Sequence, residues 1–110
     1  MPHADLFYSN DLTLDPLAVL ERIEEVLVAH DAGSGACKGR AYPAEIYRHT
    51  HFIARVSMLP KPHRDAAFIA SLSAELEVAI KALIPEACAF TLDVSFSSIN
   101  YITNEHEGAG

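Results

Sequence analysis

Pro2 is the residue in this chain best suited to carrying a proton. Removal of Met1, which a small second residue such as proline permits, leaves a secondary amine at the head of a predicted strand over residues 3–8. A free α-amine titrates near ~7.7–8, against about 10.4 for a lysine side chain, so it can act as a general base without a cofactor. With Met1 retained, the same nitrogen is an amide and has no such role. Lys38 and Arg40 flank Gly39. On a strand, alternate residues share a face, so both cations point one way while the glycine leaves room for a close neighbour. Taken alone, they read more readily as solvated strand charges. An arginine fork matches a carboxylate at two points. Arg64 falls in the first turn of a predicted helix, where a cation opposes the helix dipole and a bound anion would offset that cost. His49 and His51 alternate, with His63 further on, and two such imidazoles can grip a metal. No carboxylate or cysteine has supporting spacing, so no metal is expected. His3 reads as a packing residue or a neighbour that tunes the proline base.

The elements that must position these groups follow from caps and periodicity. Asp15-Pro16 is a helix start, with the carboxylate free to cap amides and proline suited to the first helical position. The helix is predicted to run to about His30, with Leu20, Ile23 and Leu27 three and four apart, and Gly33 and Gly35 to stop it. Glu21, Glu24 and Glu25 are expected on its wet face. A short strand follows over residues 36–42, broken by Pro43 and Ala44, then a longer one over 49–58 rich in Ile, Val and Phe. Leu59-Pro60-Lys61-Pro62 is a rigid connector. A second helix is predicted over 64–83, with Phe68, Leu72, Leu76, Ile80 and Leu83 at helical spacing, and Pro85 ends it. The last strand alternates: Phe90, Leu92, Val94 and Phe96 on one face, Thr91, Asp93 and Ser95 on the other. Two βαβ-like halves result, sharing one sheet with both helices on one face, in a single domain over residues 1–110. Phe52, Phe90, Phe96 and Tyr101 are expected in the core or in subunit contacts, with a neighbouring subunit's pocket as a second reading for Asn100 and Tyr101.

Composition removes several function classes. Fifteen acidic against eight basic residues give a net charge of −7, a poor match for nucleic acid, whose phosphates call for a basic face. Cys37 and Cys88 have no metal-type spacing and read as reduced thiols of a cytoplasmic protein. No basic-then-apolar leader opens the chain, and no apolar run approaches ~18 residues, so neither a signal peptide nor a membrane span is expected. Half of the 110 residues are hydrophobic, enough for a core, although a lone domain of this size gains from assembly.

Met1-Pro2-His3 with a strand behind it, a helix ending near glycine, Lys38-Gly39-Arg40-Ala41, a long apolar strand, a basic turn and a second helix together resemble one family. It is the 5-carboxymethyl-2-hydroxymuconate isomerase branch of the tautomerase superfamily. Ile99-Asn100-Tyr101 with Asn104 and His106 resembles that branch's C-terminal segment. The resemblance implies an α+β fold in which a four-stranded mixed sheet carries two helices on one face, and three protomers enclose a central barrel-like core. It implies a homotrimer acting on a small carboxylate-bearing substrate without metal or organic cofactor. Processed Pro2 would be the acid/base, Arg40 and Arg64 would hold carboxylates, and Lys38 would assist. The branch isomerises a dienol tricarboxylate from bacterial breakdown of homoprotocatechuate. This chain departs from the pattern at the turn Pro60-Lys61-Pro62-His63-Arg64, where the family often has Gly-Arg-Ser. Alignment by the preceding strand puts His63 in the arginine's place and a shift of one puts Arg64 there; Arg64 is preferred because it keeps the chemistry. The segment between Arg40 and the long strand is also shorter. Two alternatives remain open: a non-catalytic or diverged trimer of this fold, and a tautomerase for another 2-oxo acid, of phenylpyruvate or oxalocrotonate type.

Overall fold

A computed structural model describes all 110 residues. The elements are β1 (His3–Ser9), α1 (Pro16–His30), β2 (Lys38–Ala44), β3 (His51–Met58), α2 (Ala66–Lys81) and β4 (Ala89–Phe96). They form one four-stranded sheet in the order β2-β1-β3-β4. Within each half the strands are parallel, β1 with β2 and β3 with β4, as a helical crossover requires. The halves meet in the centre through the antiparallel pair β1/β3. The sheet is therefore mixed.

Local chemistry explains the helix boundaries. The Asp15 carboxylate accepts from the amides of Leu17 and Ala18, and Pro16 occupies the first turn. Asp31 closes α1, and the chain leaves through Gly33 and Gly35, of which only Gly35 has a positive φ, +76°. The Asp65 carboxylate caps α2 by accepting from the Phe68 amide, so this helix begins at Ala66, two residues later than predicted. Pro43 does not break β2, which continues to Ala44. This strand lies on the sheet edge, where a missing N–H costs no ladder bond. His49 precedes β3 with φ +64° and lies outside the strand.

One sheet face is buried under both helices. Ala4, Leu6 and Tyr8 of β1 and Phe52, Ala54, Val56 and Met58 of β3 join Val19, Ile23, Val26 and Leu27 of α1 and Leu72, Leu76, Ala79 and Ile80 of α2 in a single core. Phe90, Leu92 and Val94 are half-buried at its edge, but Phe96 is 44% exposed. Glu24 is not on a wet face: its carboxylate accepts the Cys37 amide at 2.6 Å and fastens the start of β2 to α1. Gly39 faces α1 so closely that a Cβ there would lie 2.6 Å from Leu20 Cδ2. By alternation, Lys38 and Arg40 then point to the opposite face, as do His3, Asp5 and Phe7. On that face Phe7 stacks on Tyr42 at 5.0 Å, and the Arg55 guanidinium sits 5.7 Å over the Phe7 ring. No helix of the chain is long and apolar enough to cross a membrane.

Candidate active site

Pro2 is fully buried at the head of β1. Its carbonyl accepts the Lys38 amide at 3.0 Å, which extends the β1/β2 pairing and fixes the proline beside the first residue of β2. Met1 precedes it and is 39% exposed. The Met1 amine titrates below the ordinary α-amine value, because burial removes water and because Lys38, Lys61 and Arg64 repel a further positive charge. Cations from two separate parts of the chain thus disfavour a charged N-terminal amine.

The individual cations differ in what they are free to do. Lys38 Nζ is exposed, and its contact here is the Met1 sulfur at 2.6 Å. Arg40 donates through Nη1 to Asp5 at 2.9 Å and through Nη2 to the Lys38 carbonyl at 2.7 Å, with the His3 ring nitrogen Nδ1 3.5 Å from Nη2. Register places these groups together: His3 lies opposite Lys38, and Asp5 opposite Arg40. Arg64 is buried, and each guanidinium nitrogen already has an acceptor. Nε and Nη2 donate to Asp31 Oδ2 at 3.0 and 2.8 Å, and Nη1 to the Leu59 carbonyl at 2.6 Å. Its fork is therefore closed, although its charge still reaches the amine. His63, the other candidate for this position, also bonds Asp31 Oδ2, at 2.8 Å. Hydrogen bonds from His63 and Arg64 hold the Asp31 carboxyl well below the usual range.

Two residues were not assigned to this chain's own site from the sequence. Lys61 is held between Pro60 and Pro62, and that rigid setting was the available signal. Tyr101, expected in the core or in subunit contacts, places its hydroxyl 2.8 Å from His3 Nε2 and 3.3 Å from the Met1 carbonyl oxygen. The His3 pKa is lowered by burial and by Arg40, Lys38 and the N-terminal amine, which favours the neutral ring. His49 and His51 do not approach the site; His51 Nδ1 bonds the His49 carbonyl at 2.8 Å. No three His, Cys, Asp or Glu side chains are grouped to hold a metal. The largest surface groove runs along α1, lined by Glu24, Glu25, Val28, Ala29, Gly35 and Ala36. Two carboxylates and no cation make it unsuited to an anionic ligand.

Two βαβ halves joined through antiparallel central strands, with both helices on one side, define an α+β fold with one mixed four-stranded sheet. The chain is similar in fold to a solved 5-carboxymethyl-2-hydroxymuconate delta-isomerase, with a TM-score of 0.73 and 19% identity over 96% of this chain and 89% of that one. A 5-carboxymethyl-2-hydroxymuconate isomerase from Deinococcus radiodurans R1 gives 0.71 and 17%, over 94% and 90% of the respective chains. No protein-family model and no curated protein matches the sequence. The resemblance carried by Pro2-His3 and Lys38-Gly39-Arg40-Ala41 thus agrees with these structures in fold.

Proposed function

We propose that this chain is a cofactor-independent isomerase that interconverts enol and keto forms of a small unsaturated di- or tricarboxylate. The observation that carries this reading is the buried Pro2 paired to Lys38 at the head of β1, where Lys38, Lys61 and Arg64 all disfavour a charged N-terminal amine. Removal of Met1 would transfer that environment to the Pro2 amine. Low solvation and three nearby cations favour the neutral amine, which is the form that accepts a proton. Pro2 takes the proton from the enol oxygen; the O–H electron pair forms the C=O π bond, the double bond moves along the chain, and Pro2 returns the proton to the distal carbon. Lys38, whose contact with Met1 is lost on processing, binds one carboxylate. Arg40 binds a second through its solvent-facing edge, braced by Asp5. Arg64 acts through its charge, since Asp31 occupies its fork.

Assembly as a homotrimer belongs to the same proposal. Pro2 lines none of the protomer's three surface grooves. Neither helix covers the face bearing Phe7, Tyr42 and Arg55, and further copies would cover it and complete the pocket. The reading is supported by two solved isomerases of the same fold.

A second reading, a diverged trimer without this chemistry, is favoured by the closed fork of Arg64. A peptide mass map before and after 3-bromopyruvate treatment separates the two. Loss of Met1 with a label on Pro2, together with ultraviolet-monitored turnover of 5-carboxymethyl-2-hydroxymuconate or 2-hydroxymuconate, is expected of the isomerase. Retained Met1 eliminates the proline base, and a processed but unlabelled Pro2 favours the diverged trimer.

A further inference from the structure

Tyr101 brings a hydroxyl from the segment after β4 to the reactive end of the chain. That hydroxyl is 3.3 Å from the carbonyl oxygen of Met1, whose carbon is bonded directly to the Pro2 nitrogen. Arginine has only N–H donors, so His3 Nδ1, which faces Arg40 Nη2 at 3.5 Å, is the acceptor of that pair. A neutral imidazole that accepts at Nδ1 carries its proton on Nε2. Nε2–H therefore donates to the Tyr101 oxygen at 2.8 Å, and the Tyr101 proton is left to point at the Met1 carbonyl. Asp5 steadies the far end of this chain by accepting from Arg40 Nη1 at 2.9 Å.

We propose that Tyr101 donates a hydrogen bond to the 2-hydroxy or 2-oxo oxygen of the substrate, and that His3 is the positioning residue that aims it. The inference rests on the isomerase reading, in which departure of Met1 opens the space its carbonyl fills. A substrate oxygen free of a peptide tether can shorten the 3.3 Å reach, as catalytic hydrogen bonds do once substrate is bound. As Pro2 removes the enol proton, charge builds on that oxygen, and the Tyr101 hydrogen bond strengthens. Tyrosine keeps its proton throughout.

The test compares wild type with Pro2→Ala, Tyr101→Phe, His3→Gln and His3→Leu, using 2-hydroxymuconate turnover and the rate of Pro2 alkylation by 3-bromopyruvate. Tyr101→Phe is expected to lower kcat by about 100-fold with little change in KM, the pattern of a contact made in the transition state. His3→Gln, which can keep a donor where Nε2 lies, is expected to retain most activity. His3→Leu is expected to lose about tenfold in kcat. Unchanged kcat in Tyr101→Phe, or a loss confined to KM, overturns the assignment. If Tyr101→Phe does not fold, equal activity of His3→Gln and His3→Leu overturns it and the expected difference supports it. Turnover by Pro2→Ala equal to wild type, or none by wild type, refutes the isomerase reading instead. Alkylation then decides the role of Tyr101: slower labelling of Pro2 in Tyr101→Phe supports it as donor to a 2-oxo oxygen, and an equal rate overturns it. Retention of Met1 overturns it too, because the space is filled.

Discussion

Arg64 donates through both Nε and Nη2 to a single oxygen of Asp31, at 3.0 and 2.8 Å. A cation expected to wait for a ligand is already half of an ion pair that ties the end of α1 to the turn before α2. Its side chain is 4% exposed and that of Asp31 14%, so removing one partner strands the other in a poorly solvated place.

Asp31→Ala is therefore expected to destabilise the fold by about 3 kcal/mol, the cost of an uncompensated buried charge. Urea unfolding followed by circular dichroism measures it. A loss within ~0.5 kcal/mol would mean that water satisfies Arg64.

The same carboxylate gives a pH dependence. Its folded pKa lies below the unfolded value of about 3.9, so its contribution is complete above that value and disappears as pH falls toward the folded pKa. Stability is expected to drop below about pH 4, and Asp31→Asn to flatten that part of the profile. Parallel acid profiles for the two proteins would remove Asp31 as the cause.

Gly39 has a packing role that activity assays would miss. A Cβ at this position meets Leu20 Cδ2 at 2.6 Å, and the leucine must rotate to make room. Gly39→Ala is expected to cost about 1 kcal/mol, and the cost should vanish in a Leu20→Ala background. Thermal melts of the four proteins in that cycle give the coupling directly.

On the proposed isomerase reading, Pro2→Ala is expected to lower kcat by about 100-fold, the worth of a positioned base. Lys38→Ala would remove the proposed carboxylate contact and one of the charges that lower the pKa of the N-terminal amine. It should raise KM and move the basic-form limb of the kcat/KM profile to higher pH. A pH profile superimposable on wild type would separate Lys38 from the base.

Cys37 is expected to be inert. Burial, followed by the neighbouring Glu24 carboxylate, pushes its thiol up to about 11, so little thiolate exists near neutral pH. Alkylation by iodoacetamide at pH 7 should be slow, and Glu24→Gln should speed it. Rapid labelling of Cys37 in wild type would contradict this environment.

Elements whose signals are short in range were legible from the residues. Asp15-Pro16 marked the start of α1 through a cap that spans three residues, and the alternation from Phe90 to Val94 marked β4. Pro43 misled because a proline ends a central strand but not an edge strand, and strand order is a property of the whole sheet. Glu24 misled for the same kind of reason: its place on the helix is local, but the Cys37 amide it holds arrives from beyond the next loop. The site divided along the same line. Pro2, Lys38 and Arg40 could be singled out because one begins the chain and the other two share a strand face. The closed fork of Arg64 and the effect of Lys61 on the N-terminal amine could not.

Sequence alone determined the six elements and their two βαβ halves, because caps and periodicity act over a few positions. Tertiary structure alone decided that Asp31 occupies Arg64, that β2 is an edge, and that Tyr101 meets His3 from 98 positions away. Those outcomes depend on register and on chain closure over long separations, which no local pattern encodes.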